Sequence, residues 1–144
     1  MYKKVFLDAN IILDKFDSNR TSHIYSSNLY NYVVSNCKVF TSCDLITTIY
    51  YINSKIHKHN ALVNIQKINK TLKVIEFSNK EIEECCNLML EDRDYLDLED
   101  TIQYIMAKKE KCDLIISNDK NFVSKDIELM TSEEFYGKYI DDTK

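Results

Sequence analysis

Residues 97–119 read DLEDTIQYIMAKKEKCDLIISND. The stretch has two halves with different periods. After the acids Asp97, Glu99 and Asp100, apolar residues recur at helical spacing, so a helix is expected from the acids to about residue 111. The following LIIS is continuously apolar, without the alternation of a strand that has one face in water. Such a strand is buried on both faces, and a helix leading straight into it is half of a parallel βαβ crossover.

The alternation extends through the rest of the chain. Further strands are expected at 5–7, 38–42, 72–77 and 127–130. Between them come a helical turn at 11–16, a helix over 22–36 with Thr21 or Ser22 as its N-cap, one from 44 to about 57, and one from about 61 to 71. Ser78 with Glu81, and Thr131 with Glu134, have the spacing of capping boxes that open two more helices. The pattern predicts an α/β three-layer sandwich with a central parallel sheet of four to five strands. A length of 144 residues, with no repeat or linker, suits a single domain over 1–144.

One glycine and no proline exclude glycine-rich phosphate loops, so any phosphate chemistry falls to carboxylates with a metal ion or to side-chain cations. The five cysteines, at 37, 43, 85, 86 and 112, show no C-x-x-C pair, and the three histidines do not pair with them at ligand spacing. They read as buried reduced thiols rather than disulfides or a zinc site. No apolar run nears the roughly 20 residues that cross a bilayer, and the run before Asp8 is too short for a signal peptide. A cytoplasmic protein with no membrane contact is expected. The net charge of −4 argues against a general polyanion binder. No acid lies between Asp44 and Glu76, however, and Lys55, Lys58, Lys67 and Lys70 fall there. These lysines read as contacts to a phosphate backbone or, the more common meaning, as a solvated helix face.

Ligands of parallel sheets bind beyond the C-terminal ends of the strands. Asp8 follows the strand VFL, and Asp119 follows LIIS with Asn118 between. The helix that begins at the acids runs antiparallel to the strand it feeds, so its N-terminus lies over that strand's C-terminal end. Asp8, Asp119 and the acids of 97–100 then collect at one edge. If the helix has begun by residue 97, Asp97 and Asp100 share a face and Glu99 points elsewhere. Taken singly, Asp8 reads equally well as a turn or cap residue, the acids of 97–100 are more often helix caps, and Asp119 belongs to an ordinary turn. Taken together they repel one another, and Mg²⁺ or Mn²⁺, which prefer oxygen ligands, would cancel that repulsion.

At these residues the chain resembles a known family. FLDANIILD, TSCDLITTIYYI, DLEDTIQYIMA and DLIISNDKNF, in this order and spacing, look like a PIN domain, most nearly the small bacterial VapC-like toxins. The resemblance implies a Mg²⁺- or Mn²⁺-dependent endoribonuclease, the toxin of a toxin–antitoxin pair. It implies RNA as substrate, a cognate antitoxin as partner and a homodimer. By position, Asp8, Asp100 and Asp119 match metal-binding acids, with Asp97 an additional acid of this subgroup. Asn10 and Ser117 match polar residues that orient the acids. Thr48 stands where many members carry a Glu, and Asn121 where another Asp is common. The implied reaction is in-line attack of water on an RNA phosphodiester, with Lys55, Lys58, Lys67 or Lys70 on the flanking backbone. Two alternatives accompany it. One is a catalytically degenerate PIN module that binds RNA or protein, suggested by Thr48 and Asn121. The other is a haloacid-dehalogenase-like phosphohydrolase, which would want a second acid where Asn10 stands.

Overall fold

The computed structural model describes residues 1–142; the last two positions of the domain expected over 1–144 lie outside it. The chain begins with β1 (Lys4–Leu7), α1 (Ala9–Phe16), α2 (His23–Asn36), β2 (Lys38–Ser42), α3 (Cys43–Ser54) and α4 (Lys58–Thr71). It continues with β3 (Lys73–Ile75), α5 (Asn79–Glu91), α6 (Leu98–Lys109), β4 (Leu114–Ile116), β5 (Glu128–Met130) and α7 (Ser132–Tyr139). The five strands form one sheet in the order β3-β2-β1-β4-β5. Every pairing is parallel, as the unbroken apolar strands require.

Val5, Phe6 and Leu7 of β1 and Leu114, Ile115 and Ile116 of β4 have no exposed surface. Helices cover the sheet on both faces. In one set α1 packs on α2 and α3, α2 on α7, and α3 on α4; in the other, α5 packs on α6, which also touches β2. Strand order reverses between β1 and β4, because β2 and β3 lie to one side of β1 while β4 and β5 lie to the other. The crevice beyond the ends of β1 and β4 is therefore the switch point of the sheet.

Several boundaries differ from expectation for local reasons. α4 starts at Lys58, before the expected position, because His57 caps it: Nδ1 accepts from the Asn60 N–H at 3.2 Å. β3 and β4 keep only three residues each, since pairing stops where their neighbours turn into helices. α6 ends at Lys109, and Lys111 takes a left-handed φ of 58°. The Cys112 N–H then reaches the Ala107 carbonyl at 2.9 Å and the Lys111 N–H reaches that of Lys108 at 3.0 Å, a Schellman end made without glycine. Both expected capping boxes are formed.

All five cysteines are free. Cys85 and Cys112 are buried and Cys37 and Cys43 half-buried, but Cys86 is exposed, against the expectation of buried thiols. Adjacent residues on a helix point about 100° apart, so α5 can bury only one of its pair. No helix among the described residues is long and apolar enough to cross a membrane.

Candidate active site

Asp8 leaves the end of β1 and caps α1. Its backbone N–H extends the ladder to the Ile116 carbonyl at 3.1 Å. One carboxylate oxygen accepts from the Ala9 N–H at 2.6 Å. The other accepts from Ser117 Oγ at 2.6 Å and from Asn10 Nδ2 at 3.0 Å. Ser117, just past β4, also accepts the Asp119 N–H at 3.1 Å, and Asn10 Oδ1 accepts the Asn118 N–H at 3.1 Å. Two short side chains thus tie the ends of the two central strands to one carboxylate. Burial raises the pKa of Asp8; the Ser117 and Ala9 hydrogen bonds oppose that shift and Asp119 adds to it.

Asp119 is half-buried and accepts the Asn121 N–H at 2.9 Å in a turn. The Asn121 side chain is exposed, and with Asp97 and Asp100 it lines a small crevice. The helix bearing the acids starts at Leu98, so Asp97 is its N-cap and accepts the Asp100 N–H at 2.9 Å. The expectation that Asp97 and Asp100 share a helical face is corrected here. Asp97 stands outside the helix, exposed, with one oxygen committed to capping. Asp100 points into the cluster. Its pKa is pushed up to about 8, first by burial and then by Asp8, Asp119 and Asp97, and a hydrogen bond with Asp119 favours the protonated form.

Two acids outside the expected set join this field. Glu99 was expected to point away. Although much of the residue is exposed, its carboxyl is partly shielded and raised in pKa, first by that shielding, then by Asp44, Asp8 and Asp97. Asp44, in the first turn of α3, accepts a hydrogen bond from Ser42 Oγ. β2 neighbours β1, so its C-terminal end lies on the same edge of the sheet. That adjacency was the signal available for Asp44. Thr48, one turn further along α3, is half-buried and enters none of the hydrogen bonds among the acids.

Gln103 was also missed. It lies one turn after Asp100 on α6, has no exposed surface, and neither Oε1 nor Nε2 has a hydrogen-bond partner. It is close enough to Asp8 to favour the ionised carboxylate slightly, but in no regular hydrogen bond. An apolar-looking helix gave no hint of it, since a single Gln in DTIQYIMA reads as a surface position.

The four candidate lysines lie at the end of α3 and on α4. Lys55 stacks over the Tyr51 ring at 4.3 Å, and Lys58, Lys67 and Lys70 are exposed on α4. The charges that shift Asp8, Glu99 and Asp100 all belong to carboxylates.

The chemistry of the site fits a hard cation. Its donors are oxygens, and no cationic side chain is among the groups that shift its acids. Among the described residues no three His, Cys, Asp or Glu side chains stand close enough to hold one ion between them. A cation there would take one or two carboxylates directly, with waters completing its sphere.

Residues 5–128 match the PIN domain. The chain is 48% identical over 134 residues to Ribonuclease VapC1 of Aquifex aeolicus, covering 92% of this chain and 93% of that protein. Its fold is similar to that of Mycobacterium tuberculosis VapC20, a sarcin-ricin loop cleaving toxin, with TM-score 0.68 at 15% identity over 82% of this chain and 92% of that one. It is also similar to a toxin–antitoxin complex from Klebsiella pneumoniae, with TM-score 0.69 at 18% identity over 89% and 97% of the two chains.

Proposed function

The chain belongs to the PIN domain family, and on that premise we propose that it is an endoribonuclease acting as the toxin of a toxin–antitoxin pair. The observation that carries the reading is the gathering of Asp8, Asp100 and Asp119 at the switch point of the sheet, where Asp8 and Asp119 both add to the raised pKa of Asp100. Carboxylates from three distant segments gather negative charge there, which is the electrostatic requirement of a cation-assisted phosphodiesterase.

Asp8, Asp100 and Asp119, with Asp97, would hold Mg²⁺ or Mn²⁺, one or two of them directly and the others through water. Such a cation, when bound, neutralises charge on the reacting phosphoryl group and makes water more acidic. The protein's own part is orientation. Ser117 and Asn10 clamp one oxygen of Asp8, and the Ala9 N–H holds the other. The Asn121 N–H fixes Asp119. Without a cation, Asp100 retains a proton at neutral pH, so the cluster carries less negative charge than its composition implies. Lys55, Lys58, Lys67 and Lys70 are proposed to contact RNA backbone away from the acids.

The antitoxin partner is inferred from the relatives, and a homodimer is proposed with it. We also place the protein in the cytoplasm, where thiols such as Cys85 and Cys112 stay reduced. The phosphohydrolase alternative is set aside, because Asn10 donates to Asp8 where that chemistry needs an acid. Asp8→Asn tests the assignment. It should abolish divalent-cation-dependent cleavage of RNA while the circular dichroism spectrum is unchanged; undiminished cleavage by the folded variant would overturn it.

A further inference from the structure

A cleft of about 550 Å³ opens beside Asp119, with Asn10, Asn19, Arg20, Thr21 and Asn118 in its walls. Among the described residues, its walls are built of polar and charged side chains. A cleft of this kind offers hydrogen bonds and charge rather than a surface for an apolar ligand.

Arg20 is its cation, and the protein holds that cation firmly. Arg20 Nε donates to Asp14 Oδ1 at 2.6 Å. Asp14 is itself 4% exposed. Its other oxygen accepts from Ser26 Oγ at 2.9 Å and from Asn118 Nδ2 at 3.1 Å. The Asn118 N–H donates to Asn10 Oδ1 at 3.1 Å, and Asn10 Nδ2 donates to Asp8 at 3.0 Å. An unbroken chain of hydrogen bonds therefore links the guanidinium of the cleft to the carboxylate at the centre of the acid cluster.

Only Nε of Arg20 hydrogen-bonds Asp14. Among the described residues the two terminal nitrogens have no hydrogen-bond partner and remain for a ligand, and their planar fork matches phosphate. The residue type is informative as well. The sequence has seventeen lysines and two arginines, Arg20 and Arg93, and one of the two is the residue anchored here. A partly buried guanidinium, 34% exposed, is also less screened than the lysines on α4. The acids beside it repel a polyanion, so a substrate phosphate needs a fixed positive charge within reach of the site.

We infer that this cleft is the subsite for an RNA phosphate next to the scissile one, and that Arg20 is the residue that grips it. The inference rests on the ribonuclease reading above. The competing structural role for Arg20 is to neutralise buried Asp14 and nothing more.

The experiment uses R20Q and the double variant D14N/R20Q, in which the buried charge is removed together with its counter-ion so that folding is preserved. Initial rates of Mg²⁺-dependent cleavage of total bacterial RNA are measured against RNA and salt concentration, and Mn²⁺ binding is followed by calorimetry. The expected result in the folded variants is an apparent KM raised about tenfold, a salt dependence of KM weakened by about one phosphate contact, and unchanged Mn²⁺ affinity. An apparent KM and salt dependence equal to those of the unaltered protein would overturn the subsite and leave Arg20 as a counter-ion. A fall in Mn²⁺ affinity that accounts for the loss of activity would overturn it too. Absence of cleavage by the unaltered protein would instead overturn the ribonuclease reading, and the subsite with it.

Discussion

The fold moves the protonation of Asp100 far from that of a free aspartate. Its folded pKa, raised to about 8, stands well above the unfolded aspartate value of about 4. Between those limits the native state binds a proton that the unfolded state does not, so stability falls as pH rises through that window. Below the unfolded pKa the penalty is absent; above about 8 it is complete. Asp8, also raised, contributes with the same sign. In chelator, the melting temperature should therefore fall from about pH 5 to about pH 8, and Asp100→Asn should flatten that fall and melt higher than the unaltered protein at the upper end. Identical melting curves for the two proteins at about pH 8 would show that the acids do not strain one another. The acids nearest this effect were legible in the sequence, because an Asp at the end of an apolar strand and acids at a helix start are local patterns. Glu99 was not, since its environment depends on Asp44, which is distant in sequence.

At the scale of elements, α6 combines two tasks at one terminus. Asp97 caps the first turn, and the same exposed carboxylate belongs to the acid cluster. Substitution can separate the tasks, because serine is about as good an N-cap as aspartate. Asp97→Ala should cost about 1 kcal/mol of stability in urea denaturation, whereas Asp97→Ser should keep most of it. If Asp97 also serves the cation, both variants should lose RNA cleavage to a similar degree. Full activity in Asp97→Ser would restrict the residue to capping. The elements themselves were largely legible, because amphipathic period, continuous apolar strands and both capping boxes are written within a few residues. Their ends were less so. Lys111 closes α6 in a left-handed conformation that a search for glycine cannot find, and His57 starts α4 through its ring nitrogen rather than an ordinary cap residue.

For the whole molecule, the order β3-β2-β1-β4-β5 makes the site. It sets β1 beside β4, brings α6 over their ends, and leaves a crevice that no local segment contains. A ligand of that crevice binds only the folded chain and must stabilise it. At a hundredfold excess of Mn²⁺ over its dissociation constant the gain is about 2.7 kcal/mol, visible as a saturable rise in melting temperature. Asp8→Asn should remove most of that rise. A melting temperature independent of Mn²⁺ in the unaltered protein would count against the cation site itself. By its own periodicities the amino-acid sequence determined the α/β class, the parallel sheet and the convergence of Asp8, Asp100 and Asp119, because side-chain burial and strand direction impose short-range patterns. Only the tertiary structure decided that Asp97 is a cap, that Glu99 and Asp44 share the acid field, that Gln103 is buried without a partner, and that Arg20 is tied to Asp8 through Asp14, Asn118 and Asn10. These are relations between side chains from different elements, and their distances follow from how the layers pack, which no single segment encodes.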